Sequence, residues 1–174
     1  PSTSRASVHS QIDRIGLTLN PNDLQQKQLR VRPQAAQIDV HLGDNAPIPI
    51  RLNSVWRRVI LAVTGTDDLT VTPFENSPQS HPPGTLRIFN LSPYRLAYAV
   101  NKEVAYLSPM QETVLTNPGA QGGEIELGLA VRAPRGWISV EKTVRPFPSP
   151  RQREALFVFP AGKGDDVSIT YLNL

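Results

Sequence analysis

Hydrophobic residues in this chain recur at every second position in one short run after another, the period of a strand with one buried and one wet face. Ile38, Val40 and Leu42 alternate with Gln37, Asp39 and His41, and Ile48, Ile50 and Leu52 repeat the pattern. Pro47 and Pro49 flank Ile48 without backbone donors, so this second strand is expected at a sheet edge. Ile125, Leu127, Leu129 and Val131 give the cleanest alternation, with Gly128 on the outer face as a candidate bulge. Residues 59–63 are apolar throughout, the pattern of a strand covered on both faces, and Gly65-Thr-Asp-Asp turns them into a strand over 69–72. Residues 86–91, 96–100 and 104–107 predict three short strands, the last two joined at Asn101-Lys102, where asparagine tolerates the left-handed turn conformation. Strands over 137–144, 156–159 and 167–174 complete the set. The predicted core is Ile38, Val40, Ile60, Leu61, Ile88, Ile125, Leu127, Leu129, Phe157 and Ile169.

A second pattern lies over the first. Leu29, Val31, Arg32, Ile38 and Val40 recur at one fixed offset as Leu129, Val131, Arg132, Ile138 and Val140. Gly65, Asp67, Asp68, Leu69, Val71 and Thr72 find counterparts in Gly162, Asp165, Asp166, Val167, Ile169 and Thr170, and Asn20-Pro21 precedes the first block as Asn117-Pro118 precedes the second. This predicts a pseudo-symmetric duplication, repeats 15–74 and 113–174 joined by 75–112, with shared β-composition as the competing explanation. Strand pairing separates the two, because true copies pair alike.

Composition sharpens the fold class. Seventeen prolines and eleven glycines in 174 residues leave few uninterrupted stretches for a helix. The expectation is all-β: one antiparallel β-sandwich, Ig-like or Greek-key, over 12–174, with under about 10 % helix and a flexible arm over 1–11. Asn22 could cap a single helical turn, although Asn20-Pro21 reads equally well as a turn. No stretch reaches the roughly twenty apolar residues of a membrane-spanning helix. The first residue is Pro1, so an N-terminal leader removed from the chain is compatible with it.

The residues from Arg58 to Leu174 resemble an uncharacterised family of exported bacterial β-sandwich proteins of unknown function. The likeness rests on Arg58-Val-Ile-Leu, on Pro83-Gly84-Thr-Leu-Arg-Ile-Phe-Asn90-Leu-Ser, on Leu107-Ser-Pro109, and on Trp137, Arg153 and Leu156-Phe-Val-Phe. It implies a sandwich and a secreted, periplasmic or cell-envelope location, and it brings no activity. Asn90-Leu-Ser-Pro-Tyr94 and Val167-Ser-Ile-Thr-Tyr-Leu-Asn bear a fainter likeness to periplasmic pilus chaperones, whose two-domain strand order is not visible here.

Candidate chemistry is sparse. With no cysteine, thiolate metal sites and thiol nucleophiles are excluded. His9, His41 and His81 are scattered; Asp39 and His41 share a strand face as two candidate metal ligands, but a solvated face explains them as simply. Glu124 and Glu126 stand about 7 Å apart on one face, without a neighbour to split their pKa values as a glycosidase requires. Asp67-Asp68 and Asp165-Asp166 suit turn hydrogen bonding better than calcium. Gly162-Lys163-Gly164 lacks phosphate-loop spacing, and no serine elbow is present. The expectation is therefore no enzyme, no cofactor and no metal.

Charge adds one alternative. Arginine outnumbers lysine fourteen to four, with Arg57, Arg58, Arg132, Arg135, Arg145, Arg151 and Arg153 near strand starts. The arginine fork suits sulfate, phosphate and carboxylate. The first reading is a non-enzymatic exported structural or interaction module that recognises an unknown protein or cell-surface polymer. The alternative is a binding protein for an anionic glycan or lipid headgroup through Arg57, Arg58, Arg151 and Arg153, with Trp56 as a stacking surface. Nucleic acid is not expected, because the net charge is only +3 and the sequence lacks aromatic-basic interleaving. Burial of both Trp56 and Trp137 would remove the aromatic platform that a glycan site needs.

Overall fold

The computed structural model describes residues 4–9, 14–19, 37–42, 46–53, 55–65, 69–116, 123–161 and 166–174. The possible helical turn at Asn22, the members of the repeat at Leu29, Val31 and Arg32, both Asn-Pro pairs, Asp67-Asp68 and the Gly162 to Asp165 loop lie outside them. The described residues form strands and contain no helix. Backbone contacts divide the chain into two compact units, Pro1–Ser77 and Pro78–Leu174.

The N-terminal unit contains β1 (Ser4–His9), β2 (Arg14–Leu19), β3 (Gln37–Leu42), β4 (Ile48–Arg51), β5 (Val59–Thr64) and β6 (Thr70–Glu75). Four of them form an antiparallel sheet in the order β2-β1-β3-β4, and β5 and β6 form a hairpin. The segment expected as a flexible arm is thus strand β1, paired with both β2 and β3. In sequence Ala6 and Val8 alternate with Arg5, Ser7 and His9, a strand period too short to stand out before its partners are known. β4 lies at the sheet edge, where its prolines predict it. Ile38, Val40, Ile50 and Val71 form the core of this unit, with Leu61, Val63 and Leu69 packed against them.

The C-terminal unit is a two-sheet sandwich of β7 (Thr85–Asn90), β8 (Arg95–Val100), β9 (Glu103–Leu107), β10 (Gln111–Thr116), β11 (Glu124–Ala133), β12 (Gly136–Pro146), β13 (Arg153–Pro160) and β14 (Val167–Asn173). One sheet runs β10-β7-β13-β14 and the other β12-β11-β8-β9. All pairings are antiparallel except β13 with β7. Leu86, Ile88, Leu156 and Val158 from the first sheet meet Leu96, Leu127, Leu129 and Val131 from the second in one buried core.

The continuous run 59–63 is half-buried along its whole length, and among the described residues β5 pairs only with β6. The strands buried on both faces are β7 throughout and β13 over Arg153 to Val158. Phe157 is accordingly buried, but on the face opposite the inter-sheet core, stacked on Phe89 with ring centroids 4.6 Å apart. Of the other predicted core residues, Ile60, Leu61 and Ile169 are half-buried and the rest are buried. The sequence alternation of 125–131 is reproduced as burial, and the bulge falls on β12 at Val140 rather than at Gly128.

Strand pairing does not support a duplication. Ile38 and Val40 lie in β3, which is bonded to β1 on one side and β4 on the other. Ile138 and Val140, their counterparts, lie in strand β12, which among the described residues is an edge bonded only to β11. Similar alternation arises wherever one strand face is buried, so the correspondence is one of β-composition.

The β8–β9 hairpin turns on Asn101 (φ 47°) and Lys102 (φ 77°), the positive angles of a two-residue turn whose second position favours glycine. Lys102→Gly is expected to raise stability by about 1 kcal/mol by removing the left-handed penalty. Urea denaturation checks this, and an unchanged midpoint would show that lysine carries no strain there.

Candidate functional site

The outer face of the β12-β11-β8-β9 sheet carries the densest exposed chemistry among the described residues. Strand alternation sends Leu127, Leu129 and Val131 inward and leaves Gly128, Ala130 and Arg132 outward on β11. On β8 the outward residues are Arg95, Ala97 and Ala99, because Leu96 and Val100 are in the core. The two inner strands thus present a floor of small residues, with Ala130 opposite Ala97 and Gly128 opposite Ala99. The edge strands supply the large ones: Trp137 and Val144 on β12, Val104 and Tyr106 on β9, all exposed.

Register sets the ends of this face. Arg132 is paired with Trp137 on one side and Arg95 on the other, while Tyr106 is opposite Ala97. Trp137 and Tyr106 start from opposite edges of the sheet, three strand spacings or roughly 14 Å apart, yet their ring centroids are 6.0 Å apart with planes tilted by 42°. Both side chains therefore lie inward across the floor, where Ala97 and Ala130 leave room. The Arg95 guanidinium sits 4.4 Å from the Tyr106 ring centre and that of Arg132 5.9 Å from the Trp137 ring centre. Each such contact contributes about 0.5–1 kcal/mol at an exposed site and holds the cation beside the ring. Glu126 and Glu124 stand exposed toward the other end of β11, roughly 20 and 27 Å from Arg132 along the strand.

The arginines singled out in the sequence are divided between the two units. Arg57 and Arg58 are exposed and Trp56 is half-buried, all in the N-terminal unit. Arg151 is exposed in the C-terminal unit, whereas Arg153 is 9 % exposed and its Nη1 donates to the His81 carbonyl at 3.4 Å. Arg153 is thus engaged inside the fold, whereas Arg151 is not buried. Arg145, from β12, pairs with Glu154 on β13 and lies over the Tyr171 ring on β14 at 4.2 Å, fastening the two sheets together. Neither tryptophan is buried, and Trp137 is 45 % exposed. The hairpin signal at Asn101-Lys102 was sufficient to place Tyr106 opposite Ala97; what the sequence lacked was the pairing of β8 with β11 that brings Arg95 beside Arg132.

His81 is fully buried, and its pKa is lowered from 6.5 to about 4, chiefly by loss of solvent and further by Arg87 and Arg153, against the opposing effect of the Thr85 carbonyl. Its Nε2 is 3.4 Å from that carbonyl, so the neutral ring donates from Nε2, and Nδ1 is left without a hydrogen-bond partner. Arg87 pairs with Glu112 and stacks 4.8 Å from the Phe89 ring centre. Asp39 accepts a hydrogen bond from Gln37 Nε2 at 3.1 Å. No group of three or more histidine or acidic side chains suited to a metal occurs among the described residues. No helix among them is long and apolar enough to cross a membrane. Comparison of the chain with known protein families, curated proteins and solved structures gives no match.

Proposed function

We propose that this chain is a non-enzymatic interaction module whose C-terminal sandwich binds an acidic saccharide on the outer face of the β12-β11-β8-β9 sheet. One observation carries the reading: two exposed aromatic rings meet over a floor of small residues with an arginine beside each. Sugar rings offer apolar C–H faces to indole and phenol, and a uronate carboxylate or sulfate takes the planar fork of Arg95 or Arg132. A short acidic stretch fits better than a long polyanion. Only two arginines flank the rings, and Glu124 and Glu126 on the same face repel a chain carrying charge at every unit, as nucleic acid does. His81 is sealed from solvent and the two exposed glutamates stand about 20 Å or more along β11 from Arg132, so neither lies beside a sugar held at the aromatic pair. The reading sets the module outside the cytoplasm, among cell-surface polymers.

Calorimetric titration with a short uronic-acid oligosaccharide, its uncharged counterpart and a single-stranded oligonucleotide tests it. The acidic sugar is expected to bind with micromolar affinity. Trp137→Ala and the pair Arg95→Ala with Arg132→Ala should each weaken it by about tenfold or more, and Arg57→Ala with Arg58→Ala should leave it unchanged. Equal binding of charged and neutral sugars, or preference for the oligonucleotide, would contradict the assignment.

A further inference from the structure

The sandwich has four edge strands, and three carry devices that discourage another strand from pairing with them. β12 has Glu141, Lys142, Arg145, Pro146 and the bulge at Val140; β9 begins with Glu103; β10 contains Glu112. The fourth, β14, reads Val-Ser-Ile-Thr-Tyr-Leu-Asn. It has no charge, no proline and no glycine, is rich in strand-forming residues, and among the described residues is hydrogen-bonded in its sheet to β13 alone.

We propose that the β14 edge is a self-association surface, on which a second copy of the chain adds its own β14 antiparallel about a two-fold axis at Thr170. This register pairs Thr170 with Thr170, Ile169 with Tyr171, Ser168 with Leu172 and Val167 with Asn173. Threonine pairs and aromatic with β-branched pairs are among the favourable cross-strand combinations, and no like charges meet along the strand. The faces also match. Val167, Ile169 and Tyr171 pack on the sandwich core, and the two-fold sets those positions opposite one another, so the core-facing side of one sheet continues into that of the other. The two four-stranded sheets become one of eight strands. Seven residues per copy bury less than the roughly 1,200 Å² of a stable complex, so dissociation in the micromolar range is expected.

Sedimentation velocity of the full chain from about 5 to about 500 µM should show a monomer passing into a dimer. Thr170→Lys sets two ammonium groups face to face at the axis and should weaken the dimer about thirtyfold or more. Thr170→Glu should do the same, and an equimolar mixture of the two variants should restore dimers as mixed pairs. Far-UV circular dichroism and thermal unfolding confirm that each variant folds; Ser168→Lys, which meets Leu172 of the other copy, replaces Thr170→Lys if that one does not. A wild-type chain monomeric throughout, a lysine variant that dimerises normally, or a mixture that stays monomeric would each overturn the proposal.

Discussion

Asn90→Ala is expected to destabilise the C-terminal unit by about 3 kcal/mol, as much as truncating a buried leucine such as Leu127. The Asn90 side chain is fully buried at the end of β7. Its Nδ2 donates to the carbonyls of Tyr94 at 2.8 Å, Ser108 at 3.0 Å and Leu107 at 3.4 Å. Its Oδ1 accepts from the Ser92 hydroxyl at 2.7 Å and the Ser92 amide at 3.2 Å. One amide thereby ties the end of a strand in the first sheet to the approach to β8 and to the end of β9 in the second. Alanine leaves those carbonyls and the hydroxyl short of partners, and a buried unmade hydrogen bond costs about 1–3 kcal/mol. Asn90→Asp separates chemistry from volume: it has nearly the same shape but, ionised, cannot donate, and is expected to destabilise at least as much. Urea denaturation of both variants checks this; a loss below about 1 kcal/mol would mean that water replaces the amide at no cost.

The second large effect is acid destabilisation through His81. The folded pKa is depressed to about 4 from 6.5, so between those values the unfolded chain takes up a proton that the folded chain refuses. The stability associated with the neutral ring is complete above pH 6.5 and is lost as the pH falls from 6.5 toward 4. The loss amounts to about 3 kcal/mol. His81→Gln removes this titration, so the difference in unfolding free energy between wild type and variant should shift by about that amount over the same interval. A difference independent of pH would show that His81 titrates normally and is open to solvent.

The strands most legible in the sequence were those with one wet face. Ile125 to Val131 and Ile38 to Val40 kept their periods because solvent covers the other side of the strand. β7 was found as a strand, but Arg87 and Asn90 within it gave no sign that both faces are buried. β10 was missed because Gln111, Glu112 and Thr113 break its apolar pattern; Glu112 is there to meet Arg87 on the neighbouring strand. The cluster on the outer sheet face was hidden for a related reason. Arginines close in sequence, such as Arg57 and Arg58, look like a cluster, whereas Arg95 and Arg132 are 37 residues apart and adjacent only through the β8–β11 register. Trp56 and Trp137 were singled out together as the aromatics whose burial would decide the reading, with Trp56 as the stacking surface; the exposed ring pair is built on Trp137. Its partner, Tyr106, comes from the opposite edge of the sheet, a proximity that local sequence does not encode.

The most direct test uses the fact that the chain has two tryptophans, one on each candidate surface. In a proton–nitrogen NMR titration with the acidic oligosaccharide, the indole N–H of Trp137 is expected to shift progressively to saturation while that of Trp56 stays in place. The Trp137 shift should disappear when Arg95 and Arg132 are both alanine. Movement of the Trp56 signal with a stationary Trp137 would put binding at Arg57 and Arg58 and contradict the account; two stationary signals at saturating sugar would remove the saccharide altogether.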